Sequence, residues 1–189
     1  MTHSGELYYL VGKPNVLKHQ LLEQISIATK DNQSVIVVKT VTTNEQFMHT
    51  AGFSVIGESD FALRQSMGLY SLNWVKKGHS YGVGGEIQQL LNRGNTVLLN
   101  GSLQNIDQAV KLFPLMNVVM TKYEPLGNES YEGYPLTEND GARLDWISEA
   151  NGVYGPFVLT VFDETGHQSA ADLLLQFALF DHAKLDKAV

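Results

Sequence analysis

The stretch at residues 7–22, LYYLVGKPNVLKHQLL, constrains the fold of this chain more than any other. An apolar run, Leu7 to Val11, ends at Gly12, and a short loop leads to Lys18. Beyond the loop, apolar residues recur at helical spacing. The stretch therefore predicts a strand, a glycine turn and a helix in direct succession.

This order is the plan of the phosphate-binding loop G-x-x-x-x-G-K-[ST], whose backbone N–H groups and lysine hold phosphate oxygens. Gly12 and Lys18 keep the first glycine and the lysine. Leu17 replaces the second glycine, and His19 replaces the hydroxyl that binds magnesium. A strand-ending glycine and a lysine that opens a surface helix would give the same pattern, so this alternative stays open. The candidate nucleotide-binding residues are Gly12, Lys13, Asn15, Lys18 and His19, with Lys18 as the candidate catalytic residue.

Composition narrows the class of protein. A chain of 189 residues with 43% hydrophobic residues predicts one folded domain over residues 1–189. The net charge of −7 argues against nucleic-acid binding but leaves room for a phosphorylated ligand in a local pocket. The chain has no cysteine, no basic leader and no apolar run of membrane-spanning length, so we expect a cytoplasmic protein without a membrane segment.

The remaining sequence alternates between predicted strands and helices. Such alternation favours an α/β fold with a mostly parallel central sheet covered on both faces. The predicted strands are 34–43, 69–75, 95–102, 114–121 and 156–162. The predicted helices are 58–68 (capped at Ser59), 86–94, 103–113, 143–150 and 167–185. Segments 76–85 and 123–142 are predicted to be a glycine-rich turn and a loop.

Two further segments are candidates for ligand contact. The segment YGVGGE (81–86) either shapes an acceptor pocket with the Tyr81 hydroxyl or forms an ordinary turn before a helix. The segment NGS (100–102) follows a buried strand, where open α/β sheets bind ligands, although Ser102 suits a helix cap equally well. The six histidines show no metal-binding spacing, so no metal site is predicted.

The order of these pieces resembles the guanylate-kinase-like P-loop kinases and, among them, the ribose 1,5-bisphosphate phosphokinases of phosphonate metabolism. The resemblance runs through nearly the whole chain and is most specific in LNWVKKGHSYGVGGEI and VLLNGS. It implies a three-layer nucleotide-kinase fold that uses ATP and Mg²⁺. It also implies an acceptor-binding region at about residues 44–83 and a lid at 123–142. The implied substrate contacts are Tyr81, Gly82, Asn100 and Ser102.

Several positions depart from the family pattern. Thr43 and Leu103 stand where the family carries arginines, and the lid segment has no Lys or Arg between Lys122 and Arg143. That segment carries acidic residues instead, namely Glu124, Glu129, Glu132, Glu138 and Asp140. Phosphoryl transfer depends on positioning and positive charge, and one arginine can contribute about 10³–10⁵ in rate. The departures therefore predict weakened catalysis.

Three hypotheses follow from these observations. The first is a divergent ATP-dependent phosphokinase with impaired catalysis that acts on a phosphorylated sugar or nucleotide. The alternative is a catalytically inactive kinase-like module, a pseudoenzyme, that serves in binding or interaction. Binding of another small phosphorylated ligand without transfer is a further alternative, and the sequence does not separate the three.

Overall fold

Strands and helices alternate along most of the chain. The computed structural model describes residues 5–11, 16–123, 157–161 and 172. Two 3₁₀ helices, Glu45–Phe47 and Leu103–Asn105, supplement the regular elements. The strands are β1 (Leu7–Val11), β2 (Val35–Val38), β3 (Thr40–Thr42), β4 (Phe53–Val55), β5 (Tyr70–Lys76), β6 (His79–Gly84), β7 (Thr96–Asn100), β8 (Asn117–Tyr123) and β9 (Phe157–Val161). The helices are α1 (Val16–Ala28), α2 (Glu58–Ser66), α3 (Glu86–Asn92) and α4 (Ile106–Leu112).

The larger of two sheets is parallel throughout and has the strand order β2-β7-β1-β8-β9. Every residue of β1 and of β7 is buried. Strands that are buried at every position need cover on both faces of the sheet. The prediction of an α/β fold with a mostly parallel central sheet is confirmed.

Helices supply this cover, and the sheet is the middle of three layers. Because side chains alternate across a strand, Tyr8 and Leu10 of β1 lie on one face and its other residues lie on the opposite face. The first face packs against α1, for example against Ile25. The second face packs against α3 and α4, for example against Ile87 and Ile106. Each large apolar side chain buried in this way contributes about 1.5–3 kcal/mol to folding.

The predicted strand at 34–43 is wrong in one respect, because the segment forms two strands in different sheets. β2 pairs with β7 in the parallel sheet. β3 pairs with β4 and β6 in a second, mixed sheet of order β4-β3-β6-β5. The chain passes from one sheet to the other at Lys39. A run of β-branched residues favours an extended backbone but does not select its partner, so the pattern did not reveal the break.

The prediction of a turn at 76–85 is also wrong, because most of this segment is strand β6. Only Lys77 and Gly78 form the turn, with φ angles of 51° and 78°. Positive φ at both central residues suits the twist of a two-residue hairpin. β6 runs antiparallel to β5. The opposed pairs are Leu72 with Val83, Trp74 with Tyr81, and Lys76 with His79.

Directly opposed residues share a face, so these three pairs form one surface, which we call the inner face of the hairpin. At one end of this face, Leu72 and Val83 are buried in the core with Ile87 of α3. At the other end lies the turn. The opposite face of the hairpin packs against α2, where the Phe61 and Tyr70 rings stack with centroids 4.6 Å apart.

The other predicted elements that fall on described residues are confirmed with shifted ends. Helix α2 begins at Glu58 after Gly57, so the predicted cap at Ser59 is wrong. The helix predicted at 103–113 is a 3₁₀ turn followed by α4.

Several predictions fall outside the residues that the structure describes. They concern the loop residues Gly12, Lys13 and Asn15, the lid beyond Tyr123, and the segments 143–150 and 167–185 apart from Asp172. The division of the chain into a single domain stays a prediction. Among the residues that the structure describes, no helix is long and apolar enough to cross a membrane.

Candidate functional site

Lys18 lies in the first turn of α1, at the carboxyl edge of the parallel sheet. Its Nζ donates a hydrogen bond of 2.9 Å to the main-chain oxygen of Gly101, which follows β7. β1 and β7 are parallel neighbours, and Gly101 N donates to Leu10 O at 2.8 Å. The lysine therefore joins the start of α1 to the end of a neighbouring strand, which is the place where open α/β sheets bind ligands.

The charge on Lys18 is disfavoured by its surroundings. Its side chain is only 5% exposed. Burial, with a smaller contribution from the charge of Lys76, lowers the pKa of Lys18 from 10.5 to about 7. An anion beside the amine would favour the protonated form and offset this cost. The position is therefore suited to a phosphate oxygen.

Asn100, the last residue of β7, places an unsatisfied amide in the same region. The residue is 3% exposed, and its Nδ2 and Oδ1 have no hydrogen-bond partner among the residues described. Its main-chain oxygen accepts a 3.3 Å hydrogen bond from Thr40 Oγ1, which joins the parallel sheet to the mixed sheet. A buried amide without partners costs about 1–3 kcal/mol, so such a group is a candidate for completion by a ligand.

Tyr9 fixes the loop that follows β7, a role that no local sequence pattern indicated. Its hydroxyl donates to Ser102 O at 3.1 Å and accepts from Ser102 N at 3.0 Å. Burial raises the pKa of Tyr9 to about 12, so the phenol stays protonated at neutral pH. A Cβ at Gly101 would lie 2.4 Å from the Tyr9 ring, so this position requires glycine. The side chain of Ser102 accepts from Gln104 N and caps the next turn.

His19, the neighbour of Lys18, packs against a pair of phenyl rings. Its ring meets Phe47 and Phe53 edge-on, with centroids 5.5 Å and 5.4 Å away. Those two phenyl rings stack on each other at 4.2 Å. Burial, with a smaller contribution from the charge of Lys18, lowers the pKa of His19 to about 4.

The imidazole of His19 is therefore neutral at physiological pH. Mg²⁺ prefers hard oxygen ligands, and a neutral imidazole packed against two phenyl rings does not fit that ion. The described residues contain no group of three or more His, Asp or Glu side chains arranged to hold a metal.

Tyr81 forms the opposite wall of the site. The residue is buried, and its ring stacks on Trp74 with centroids 5.5 Å apart and an interplanar angle of 10°. Its hydroxyl accepts a 3.4 Å hydrogen bond from Asn44 Nδ2, and its ring meets Phe47 at 6.4 Å. Phe47 therefore contacts both Tyr81 and His19, so the inner face of the hairpin lies toward the start of α1.

Gly82, also a predicted site residue, does not lie on the inner face of the hairpin. A Cβ at Gly82 would lie 2.7 Å from the Tyr70 ring, on the side of the hairpin that packs against α2. The structure thus accounts for Gly82 through packing.

We call the space between the two sheets the cleft. The residues that the structure brings together there are Lys18, His19, Asn100, Trp74, Tyr81 and Lys76. Trp74 and Lys76 were not among the predicted site residues, although their spacing on β5 shows that they share a face.

No protein-family model matches the chain. Several curated proteins, however, are similar to it in sequence. The ribose 1,5-bisphosphate phosphokinase of Thiobacillus denitrificans is 26% identical over 121 residues, which are 64% of this chain and 64% of that protein. The protein of the same name from Achromobacter xylosoxidans is 29% identical over 121 residues, 64% of this chain and 62% of that protein. The one from Pseudomonas fluorescens is 31% identical over 117 residues, 62% of this chain and 61% of that protein. The match thus spans less than two thirds of these relatives.

Among solved structures, guanylate kinase from Anaplasma phagocytophilum matches with a TM-score of 0.59 and 15% identity. The match covers 94% of this chain and 87% of that one. At this identity the likeness shows the fold alone. The predicted nucleotide-kinase fold is confirmed.

Proposed function

Because the chain is related to the guanylate-kinase-like P-loop kinases, we propose that it is a divergent ATP-dependent phosphokinase acting on a phosphorylated sugar or nucleotide. The observation that carries this proposal is the place of Lys18. It is a buried amine at the carboxyl edge of the parallel sheet, in the first turn of the helix that follows β1. The names of the curated relatives make ribose 1,5-bisphosphate the first acceptor to test.

The proposed roles follow from the positions of the groups. Lys18 binds phosphate oxygens of the donor, and Asn100 offers its unpaired amide to the ligand. The hydroxyl of Tyr81 binds the acceptor phosphate from the opposite wall. The bound nucleotide supplies the phosphoryl group, and the chain's part is to position the two ligands and offset their charge. Gly12, Lys13 and Asn15 complete the phosphate loop in this proposal.

Slow catalysis is part of the proposal. Thr43, at a position where the resemblance implies an arginine, accepts a 3.0 Å hydrogen bond from Ser80 N and is held by the mixed sheet. Leu103, at another such position, packs against the core. Arginines that stabilise the transferring phosphoryl group contribute about 10³–10⁵ in rate. We therefore expect turnover at least about 10³ below the 1–100 s⁻¹ typical of kinases.

A second function, a binding module without transfer, is favoured by one specific observation. The Lys18 ammonium donates to a main-chain carbonyl, and the adjacent His19 packs against a stacked pair of phenyl rings. Both contacts stabilise the site in the absence of a nucleotide. On this alternative the cleft holds a phosphorylated ligand but transfers nothing.

The test combines calorimetric titration with ATP, with and without Mg²⁺, and an assay of phosphoryl transfer to ribose 1,5-bisphosphate and to nucleoside monophosphates. Lys18→Met keeps the length of the side chain and removes its charge, so we expect it to weaken ATP binding at least about tenfold and to abolish transfer. Lys30→Met, at an exposed lysine beyond the end of α1, is the matched control and should leave both unchanged.

Transfer that Lys18→Met abolishes and Lys30→Met preserves would support the kinase. ATP binding without transfer to any acceptor would favour the binding module. Absence of binding at millimolar ATP would overturn the proposal.

A further inference from the structure

The inner face of the hairpin changes character along its length. It begins with Leu72 and Val83 in the core, continues with the stacked pair of Trp74 and Tyr81, and ends at the turn with Lys76. Successive residues on one face of a strand are about 7 Å apart, so this change takes place within two steps of about that length. An ammonium group thus follows directly after the aromatic wall of the cleft.

Burial along β5 confirms which way Lys76 faces. Val75 is 70% exposed and Lys77 is exposed, whereas Lys76 between them is half-buried. The alternation places Lys76 on the same side of β5 as Trp74, which stacks on Tyr81. The Tyr81 ring contacts Phe47, and Phe47 in turn contacts His19. The side of the hairpin that carries Lys76 is therefore the side that faces the start of α1.

The charge of Lys76 reaches Lys18. It is the second cause, after burial, of the lowered pKa of Lys18. The pKa of Lys76 is itself lowered, first by burial and then by the charge of Lys77. Two cations are thus held near each other where both protonated forms are disfavoured, and perturbed groups of this kind cluster at functional sites.

We propose that Lys76 and Lys18 form a two-lysine site for the oxyanions of a phosphorylated ligand, with the Asn100 amide as a further donor. An oxyanion between the two lysines would turn their mutual repulsion into two attractions and would give the buried Asn100 amide a partner. Lys76 approaches from the mixed sheet and Lys18 from α1, so the ligand's charge lies between the two walls of the cleft. The proposal rests on the proposed function only in taking the cleft as the place of the phosphorylated ligand.

The test uses inorganic pyrophosphate as the probe, titrated by calorimetry at low salt and pH 6, where Lys18 is mostly protonated. We expect Lys76→Met to weaken pyrophosphate binding about tenfold or more, because a charge-assisted hydrogen bond is lost. Lys76→Arg keeps the charge and should bind within about threefold of the unmodified protein. Lys77→Met removes the same charge one residue away, on an exposed side chain, and should change affinity less than about twofold.

A second readout reports on the pair without any ligand. Removal of Lys76 should raise the pKa of Lys18, followed by NMR of carbon-13-labelled lysine, whereas Lys77→Met should move it less. Thermal unfolding of each variant checks that the fold is retained.

Two results would overturn the two-lysine site. One is equal pyrophosphate affinity for Lys76→Met and Lys77→Met, and the other is the absence of pyrophosphate binding by the unmodified protein. Neither result decides the kinase proposal, which depends on ATP binding and transfer.

Discussion

The parallel sheet and the mixed sheet of this protein differ in how their strands are buried. In the parallel sheet, β1 and β7 are buried at every residue, and helices cover both faces. In the mixed sheet, the inner face of the hairpin passes from core leucine and valine to stacked aromatic rings and then to a lysine. Uniformly apolar strands maximise burial, whereas the strands of the hairpin place aromatic and charged side chains in the cleft. The parallel sheet supplies most of the buried core and, at the ends of its strands, one wall of the cleft, whereas the mixed sheet supplies the opposite wall.

The largest effect is expected in the parallel sheet. Leu99 of β7 is fully buried in the core, so Leu99→Ala should lower the free energy of unfolding by about 2–5 kcal/mol through lost contacts and a residual cavity. Leu69→Ala, at a leucine that is 47% exposed just before β5, is the matched control and should cost less than about 1 kcal/mol. Urea unfolding measures both. Equal losses would show that the burial of Leu99 in β7 does not determine its contribution to stability.

An intermediate effect is expected where the parallel sheet meets the cleft. Tyr9→Phe removes the hydroxyl that binds both main-chain groups of Ser102 and should cost about 1–3 kcal/mol, because the Ser102 N–H loses its partner. Tyr8→Phe makes the same change one residue away, where the hydroxyl donates to Glu6 Oε2, and should cost less. The comparison is made by urea unfolding, and a larger loss for Tyr8→Phe would show that the Tyr9 contact does not hold the loop.

The smallest effect is expected in the dependence of the free energy of unfolding on pH. The pKa of His19 is about 4 in the folded protein and about 6.5 when unfolded, so between these values the unfolded state binds a proton that the folded state does not. Stability is therefore fully present above pH 6.5 and falls as the pH is lowered toward 4. Because the ring is partly exposed, we expect the loss to be on the order of 1–2 kcal/mol.

His19→Phe keeps an aromatic ring beside Phe47 and Phe53 and should remove this part of the acid dependence. His79→Gln, on the hairpin, is the control and should retain it. Thermal unfolding from pH 4 to pH 7 distinguishes the two. An unchanged pH profile in His19→Phe would show that the burial of His19 against Phe47 and Phe53 does not govern this titration.

The parallel sheet was largely predictable, and the mixed sheet was not. Apolar runs such as that of β1 have few alternatives in a chain of this size. In the mixed sheet, the density of glycines between Lys76 and Gly85 favoured a turn. The structure shows that Gly82 and Gly84 lie within β6, and at Gly82 the Tyr70 ring occupies the space of a Cβ. A glycine required for close packing and a glycine required for a turn look the same in a sequence.

The site was predicted in part for similar reasons. Lys18 and Asn100 lie at ends of elements that local patterns locate, and both fall in the cleft. The roles of Tyr9 and Lys76 depend on partners far along the chain, which periodicity does not reveal. For Lys76 the available signal was its spacing from Trp74, but it could be read only once β5 and β6 were known to be paired.

The mixed sheet comes from one uninterrupted stretch of chain, residues 40–84, inserted between β2 and α3. This arrangement is modular. One wall of the cleft can diverge by insertion, deletion or recombination within a single gene segment while the parallel sheet and its helices are inherited unchanged. Leu72 and Val83 limit this exchange because both pack with Ile87 of α3 in the core. A replacement segment must therefore carry apolar residues at those two positions.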